Sequence, residues 1–155
     1  MKIQILSREK IKLLSAKGFK PNTAVISITD AGLDFAELKN APEYLLQVAF
    51  NDIDNDVFMD ELGRQPTDAE RKRIEEKYKM LTDEQAQQIA DFYNQVKKQA
   101  DVFICQCEHG QSRSAAVAAA FLEKSSKRGI DVFVDDKYYP NKTVFKKVFN
   151  ALKFN

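Results

Sequence analysis

The sequence predicts an α/β fold in which a mostly parallel, twisted sheet carries helices on both faces. Three observations point there. Short apolar and β-branched runs alternate with helical stretches along all 155 residues. The runs are bounded by Asn, Asp and Gly turn residues, while the helical stretches begin at Ser, Thr or Asn capping residues. Finally, no internal repeat, low-complexity linker or composition shift divides the chain, so a single unit over residues 1–155 is expected.

Taken in order, KIQIL near the start is a short strand. Ser7 caps a helix carrying Ile11, Leu13 and Leu14, which Gly18 and Pro21 close. TAVISIT (23–29) is a β-branched strand ending at the turn Asp30-Ala31-Gly32. YLLQVAF (44–50) is a third strand and runs into the acidic loop NDIDND. Thr67 with Glu70, and Thr82 with Gln85, form capping-box patterns that start helices near 67–80 and 82–99. VFICQ (102–106) is an apolar strand, and SAAVAAAFLEKSS (114–126) is a strong helix former. IDVFV (130–134) reads as extended, and Asn141 caps a last helix with Val144, Val148 and Leu152.

Composition narrows the function classes. Hydrophobic residues make up 44% and charged residues 30%, the balance of a soluble globular protein. A net charge of +1 gives no basic field for nucleic acid. No segment approaches membrane-spanning length, and MKIQIL has too short an apolar run for a secretory signal, so a cytoplasmic protein is expected. Cys105 and Cys107 are then free thiols, too close for a structural disulfide and too few for a zinc site. A single histidine, His109, makes no metal centre.

In parallel sheets, ligands bind beyond the carboxyl ends of the strands. The segment CEHGQSRS (107–114) lies at such an end, between strand and helix. Gly110 admits a positive φ, so successive amides of Glu108, His109, Gly110, Gln111 and Ser112 can converge on an anion at a helix N-terminus. Arg113 adds a planar fork for two phosphate oxygens. The same surroundings favour a thiolate at Cys107, the form that attacks phosphorus to give a phosphocysteine. The hydroxyl of Ser114 is placed to assist the departing sulfur in the second step.

Cys107, Gly110, Ser112, Arg113 and Ser114, with the preceding apolar strand and following helix, resemble the phosphate loop of the cysteine-based protein tyrosine phosphatases. The dual-specificity branch, written HCxxGxSRS, is the nearest form. The resemblance extends from YLLQVAF through the helix ending near residue 124, and the last helix (141–152) suits it. It implies a phosphomonoester hydrolase acting on phosphotyrosine, and by extension phosphoserine or phosphothreonine, in protein or peptide substrates. No metal or organic cofactor is implied. Gln106 stands where that family has a histidine, so a weaker or different support of the thiolate is expected. The resemblance also implies an aspartate acid on a loop after an earlier strand. Asp52 fits best by position, followed by Asp54 and then Asp56.

The stretch from that loop to Cys107 exceeds the family spacing, and the excess, about residues 58–81, reads as an exposed helical insertion. His109 is expected at the loop rim, touching substrate. Cys105 shares a strand face with Cys107 and is read as a small buried hydrophobe, with a resolving thiol as the alternative. KYYPNK (137–142) is either a pocket wall or a turn. Two other functions stay open: a catalytically weak phosphate-binding (pseudophosphatase) module, motivated by Gln106, and an RNA 5′-phosphatase. Ser112, Ser114 and the lack of a basic excess weigh against the latter, as Glu108 and Gln111 weigh against a lipid head group.

Overall fold

A computed structural model describes residues 1–153 of the chain; the last two residues of the expected 1–155 unit lie outside the described residues. Its elements are β1 (Lys2–Leu6), α1 (Arg8–Lys17), β2 (Thr23–Thr29), β3 (Tyr44–Ala49), α2 (Asp56–Leu62) and α3 (Asp68–Lys77). They continue with α4 (Asp83–Val96), β4 (Val102–Gln106), α5 (Arg113–Ser126), α6 (Ile130–Val134) and α7 (Lys142–Lys153). The four strands form one sheet in the order β1-β4-β2-β3, and every pair is parallel.

Burial explains the order. All seven residues of β2 are buried and β4 is buried over its last four, as central strands covered on both faces must be. At the edges, β3 alternates exposed and covered residues over most of its length. One face of the sheet presents Ala24, Ile26, Ile28, Phe103 and Cys105 to α4, α5 and α7. The other presents Val25 and Ile104 to Ile11 and Leu14 of α1. Ala115 to Phe121 are wholly buried, so α5 is enclosed by the sheet, α6 and α7, and its alanines permit that close approach. Phe121 stacks on Tyr93 at 4.4 Å and meets Phe103 edge-on at 5.0 Å. Fully burying such a ring contributes ~2 to 3 kcal/mol.

The predicted α/β class is therefore the observed one. The run 130–134 is corrected: it is the short helix α6, whose Val132 sits against Ala115 and Ala119 of α5, while Ile130 and Val134 remain exposed. The insertion is helical as expected but begins at Asp56 and is only partly exposed. Val57, Phe58, Ile74 and Met80 make a small core of their own, joined by Ile53 and Tyr78. Both capping boxes form, at Thr67 with Glu70 and at Thr82 with Gln85. Among the described residues no helix is long and apolar enough to cross a membrane.

Candidate active site

Because every strand is parallel, all four carboxyl ends lie along one edge of the sheet. Cys107 follows β4 there, Asp30 follows β2, and Asn51 and Asp52 lie just past β3. Residues far apart in sequence are brought together by this one property of the sheet.

The loop 107–113 is held from outside by its carbonyl groups. Arg8 N donates to Glu108 O (3.1 Å), Tyr139 N to Gln111 O (2.8 Å) and Asn141 N to Ser112 O (3.3 Å). Gln106 Nε2 donates to Cys107 O at 2.9 Å. No peptide bond is cis, so each N–H points opposite to the carbonyl before it in the same plane. The amides of Glu108, His109, Ser112 and Arg113 therefore point away from these outer donors, toward the inside of the loop. Those of residues 108–112 find no acceptor among the described residues.

Gly110 is required twice over. Its φ is +67°, and a Cβ there would lie 2.7 Å from Leu6 C and Ser7 N, both backbone atoms that cannot give way. The loop is thus pressed onto the junction of β1 and α1. Arg8 reinforces the contact: its Nε donates to Glu108 Oε2 at 2.7 Å and its Nη2 to Thr29 Oγ1 at 2.6 Å.

Inside the loop, Cys107 Sγ and Ser114 Oγ are 3.0 Å apart and both residues are buried. Arg113 starts α5 with its side chain only 5% exposed. Its Nη1 donates to Phe50 O at 2.7 Å and pairs with Asp30 Oδ1 at 2.7 Å, while its Nε is buried with no partner among the described residues. Glu108, His109 and Gln111 are exposed on the rim and Ser112 is half-buried. Segment 137–142 starts in a turn and docks on the outside of the loop through the backbone N–H groups of Tyr139 and Asn141.

The three aspartates part company here. Asp52 Oδ1 accepts from Ser112 Oγ at 2.8 Å and from Asn141 Nδ2 at 2.9 Å, which fixes the carboxylate beside the loop. Asp54 faces α7 instead, accepting from Thr143 Oγ1 at 2.5 Å and Lys142 N at 3.2 Å. Burial pushes the Asp54 carboxyl up, but the hydrogen bonds from Thr143, Asn55 and Lys142 outweigh it and hold the group below its ordinary value. Asp56 is an exposed residue of the first turn of α2.

Gln106 is wholly buried, and its Oε1 accepts from Ser27 Oγ at 2.6 Å, the two being register partners on β4 and β2. The Ser27–Gln106 pair thus holds the backbone carbonyl of Cys107 and makes no hydrogen bond to its sulfur among the described residues. Burial, with Cys107 adding to it, drives the Cys105 thiol strongly up, so that side chain behaves as a packed hydrophobe. Asp30, Ser27 and the amide of Asn141 were not singled out from the sequence as parts of the site. Only the turn at Asp30 and the cap at Asn141 were signalled. Among the described residues no cluster of three or more His, Cys, Asp or Glu is placed to hold a metal ion.

No family model matches the chain. No curated protein matches it either. Solved structures do. PTPMT1 in complex with PI(5)P matches with a TM-score of 0.52 and 14% identity over 99% of this chain and 91% of that one. A second PTPMT1 structure gives 0.44 and 12% over 99% and 90%. The human tyrosine phosphatase-like serine/threonine/tyrosine-interacting protein gives 0.44 and 17% over 96% and 87%. The likeness to the PI(5)P complex shows the fold, a parallel sheet flanked by helices.

Proposed function

We propose that this chain is a cysteine-dependent phosphatase that hydrolyses phosphomonoesters of protein or peptide, phosphotyrosine first and phosphoserine or phosphothreonine by extension. The observation that carries the reading is Arg113. A buried guanidinium whose Nη1 is spoken for by Asp30 and Phe50 O, and whose Nε has no partner, is built to receive an oxyanion. The inward amides of the loop supply further N–H donors for such an ion.

The Cys107 thiolate attacks phosphorus, forming the S–P bond as the bond to the leaving oxygen breaks. Asp52, as the carboxylic acid, gives its proton to that oxygen. Water then attacks the phosphocysteine while the Asp52 carboxylate takes its proton, the S–P bond breaks, and inorganic phosphate leaves. Ser114 Oγ, 3.0 Å from the sulfur, donates to the departing thiolate. Glu108, His109, Gly110, Gln111 and Ser112 form the substrate-facing loop. No metal or organic cofactor enters these steps, and a reducing cytoplasm would keep Cys107 free for them. Glu108 and Gln111, exposed on the rim where a highly charged head group such as the PI(5)P bound to PTPMT1 would call for cations, favour a peptide.

Turnover of para-nitrophenyl phosphate and a phosphopeptide panel tests this. Cys107→Ser abolishes turnover, and Asp52→Ala slows the phosphopeptides ~10²-fold or more, the usual worth of a general acid. Wild-type protein that binds phosphopeptides without hydrolysing them would instead be a phosphate-binding module.

A further inference from the structure

We propose that Asn141 is the positioning residue of the acid, a role that rests on the assignment of Asp52 just made. Asn141 is 4% exposed and all of its side-chain polar atoms are used. Its Oδ1 accepts from Val144 N at 3.0 Å, which caps α7. Its Nδ2 donates to Asp52 Oδ1 at 2.9 Å and to Ile53 O at 3.1 Å. Its backbone N donates to Ser112 O, a carbonyl of the phosphate loop. One residue, through its side chain and its backbone N–H, therefore ties together the helix that closes the fold, the acid loop and the loop that receives the phosphoryl group.

The geometry decides which carboxyl oxygen works. Oδ1 of Asp52 accepts from both Asn141 and Ser112, whereas Oδ2 has no partner among the described residues. With Oδ1 committed to two donors, the transferable proton is confined to Oδ2. The carboxyl is also prevented from swinging away on its exposed loop. A proton donor displaced by about 1 Å loses much of its effect, so the partner that fixes it belongs to the catalytic apparatus even though it touches no substrate.

The test exploits leaving-group chemistry. An acid matters for a poor leaving group, such as the phenoxide of phenyl phosphate, and little for a good one, such as 2,4-dinitrophenoxide. Asn141→Ser keeps an oxygen to cap Val144 N but cannot reach Asp52, and Asn141→Thr is a second variant of the same kind. Both are expected to lower kcat/KM for phenyl phosphate about tenfold, a part of the ~10²-fold or more that the acid itself contributes, and to leave 2,4-dinitrophenyl phosphate within about twofold of wild type. In the double variant with Asp52→Ala, the loss is expected to equal that of Asp52→Ala alone, because the two residues act as one unit.

If both esters slow equally, or if the losses multiply in the double variant, Asn141 is only a helix cap and the proposal fails while the acid assignment stands. If Asp52→Ala itself shows no preference between the esters, the acid assignment falls and takes this proposal with it.

Discussion

At the scale of single residues, Asp30 and Arg113 show how one ion pair can divide the duties of a guanidinium. Asp30 Oδ1 and Phe50 O take Nη1, while Nε is left buried without a partner among the described residues. Asp30 is nearly half exposed, so its charge is screened and its value lies in aiming the arginine more than in raw attraction. Asp30→Ala is expected to lower kcat/KM on aryl phosphates by roughly tenfold, about one charged hydrogen bond in the site, with KM bearing much of the loss. Kinetics indistinguishable from wild type would show that Phe50 O alone suffices to hold the arginine. The sequence displayed Cys107, Arg113 and Gly110 because they occur on one loop with fixed spacing. It could not display Asp30, Ser27 or the second job of Asn141. These act across the sheet on residues tens of positions away, and a polar residue at a strand end or helix start looks the same whether it caps, turns or positions.

At the scale of elements, local signals and tertiary contacts contribute unequally. Capping boxes at Thr67 and Thr82 and the cap at Asn141 were legible because each is complete within four residues. The run IDVFV was not, since a five-residue apolar run suits strand or helix and packing on α5 decides between them. The small core of α2 and α3 was also hidden, because it forms between segments whose mixed charges look solvated. It supports the acid loop from below through Ile53, and Asn51 Nδ2 bonds Tyr78 O at 3.0 Å. Asp54 fastens that loop to the start of α7 and yields a pH prediction. Its folded carboxyl lies below the ordinary value of 3.8, so the stabilisation it contributes is complete at pH well above that value and is lost as pH falls through the folded value. Asp54→Ala is therefore expected to lower Tm at pH 7 by about 2 to 4 °C, the worth of one helix-end contact in a chain of this size. The gap to wild type should narrow progressively as melting is repeated at pH values falling below 3.8. A gap that stays constant with pH would mean the carboxylate is not what holds α7.

At the scale of the whole molecule, the parallel sheet is what turns scattered residues into a site. With β4 and β2 adjacent and β3 beyond, the segments bearing Cys107, Asp30 and Asp52 leave the sheet side by side, and α5 begins at the loop. The hydrophobic pattern already dictated such a sheet, and this is why its class, and the placing of loop 107–113 at the carboxyl end of a strand, could be read from residues alone. Strand order could not, because β1, β2 and β3 precede β4 in sequence while β4 fits between β1 and β2 in space. The arrangement couples ligand binding to global stability: an anion on the loop contacts α5, whose buried face packs against the sheet, α6 and α7. Tungstate, a tetrahedral oxyanion, should therefore raise Tm by roughly 5 to 10 °C when present at about 100 times its Kd. Cys107→Ser should keep the shift, because the amides and Arg113 do the holding. Arg113→Lys should lose most of it, since a point charge on a flexible stem cannot replace a fork already clamped at Nη1. An equal rise in both variants would indicate general exclusion of the salt from the protein surface, and the loop would then not be an oxyanion site.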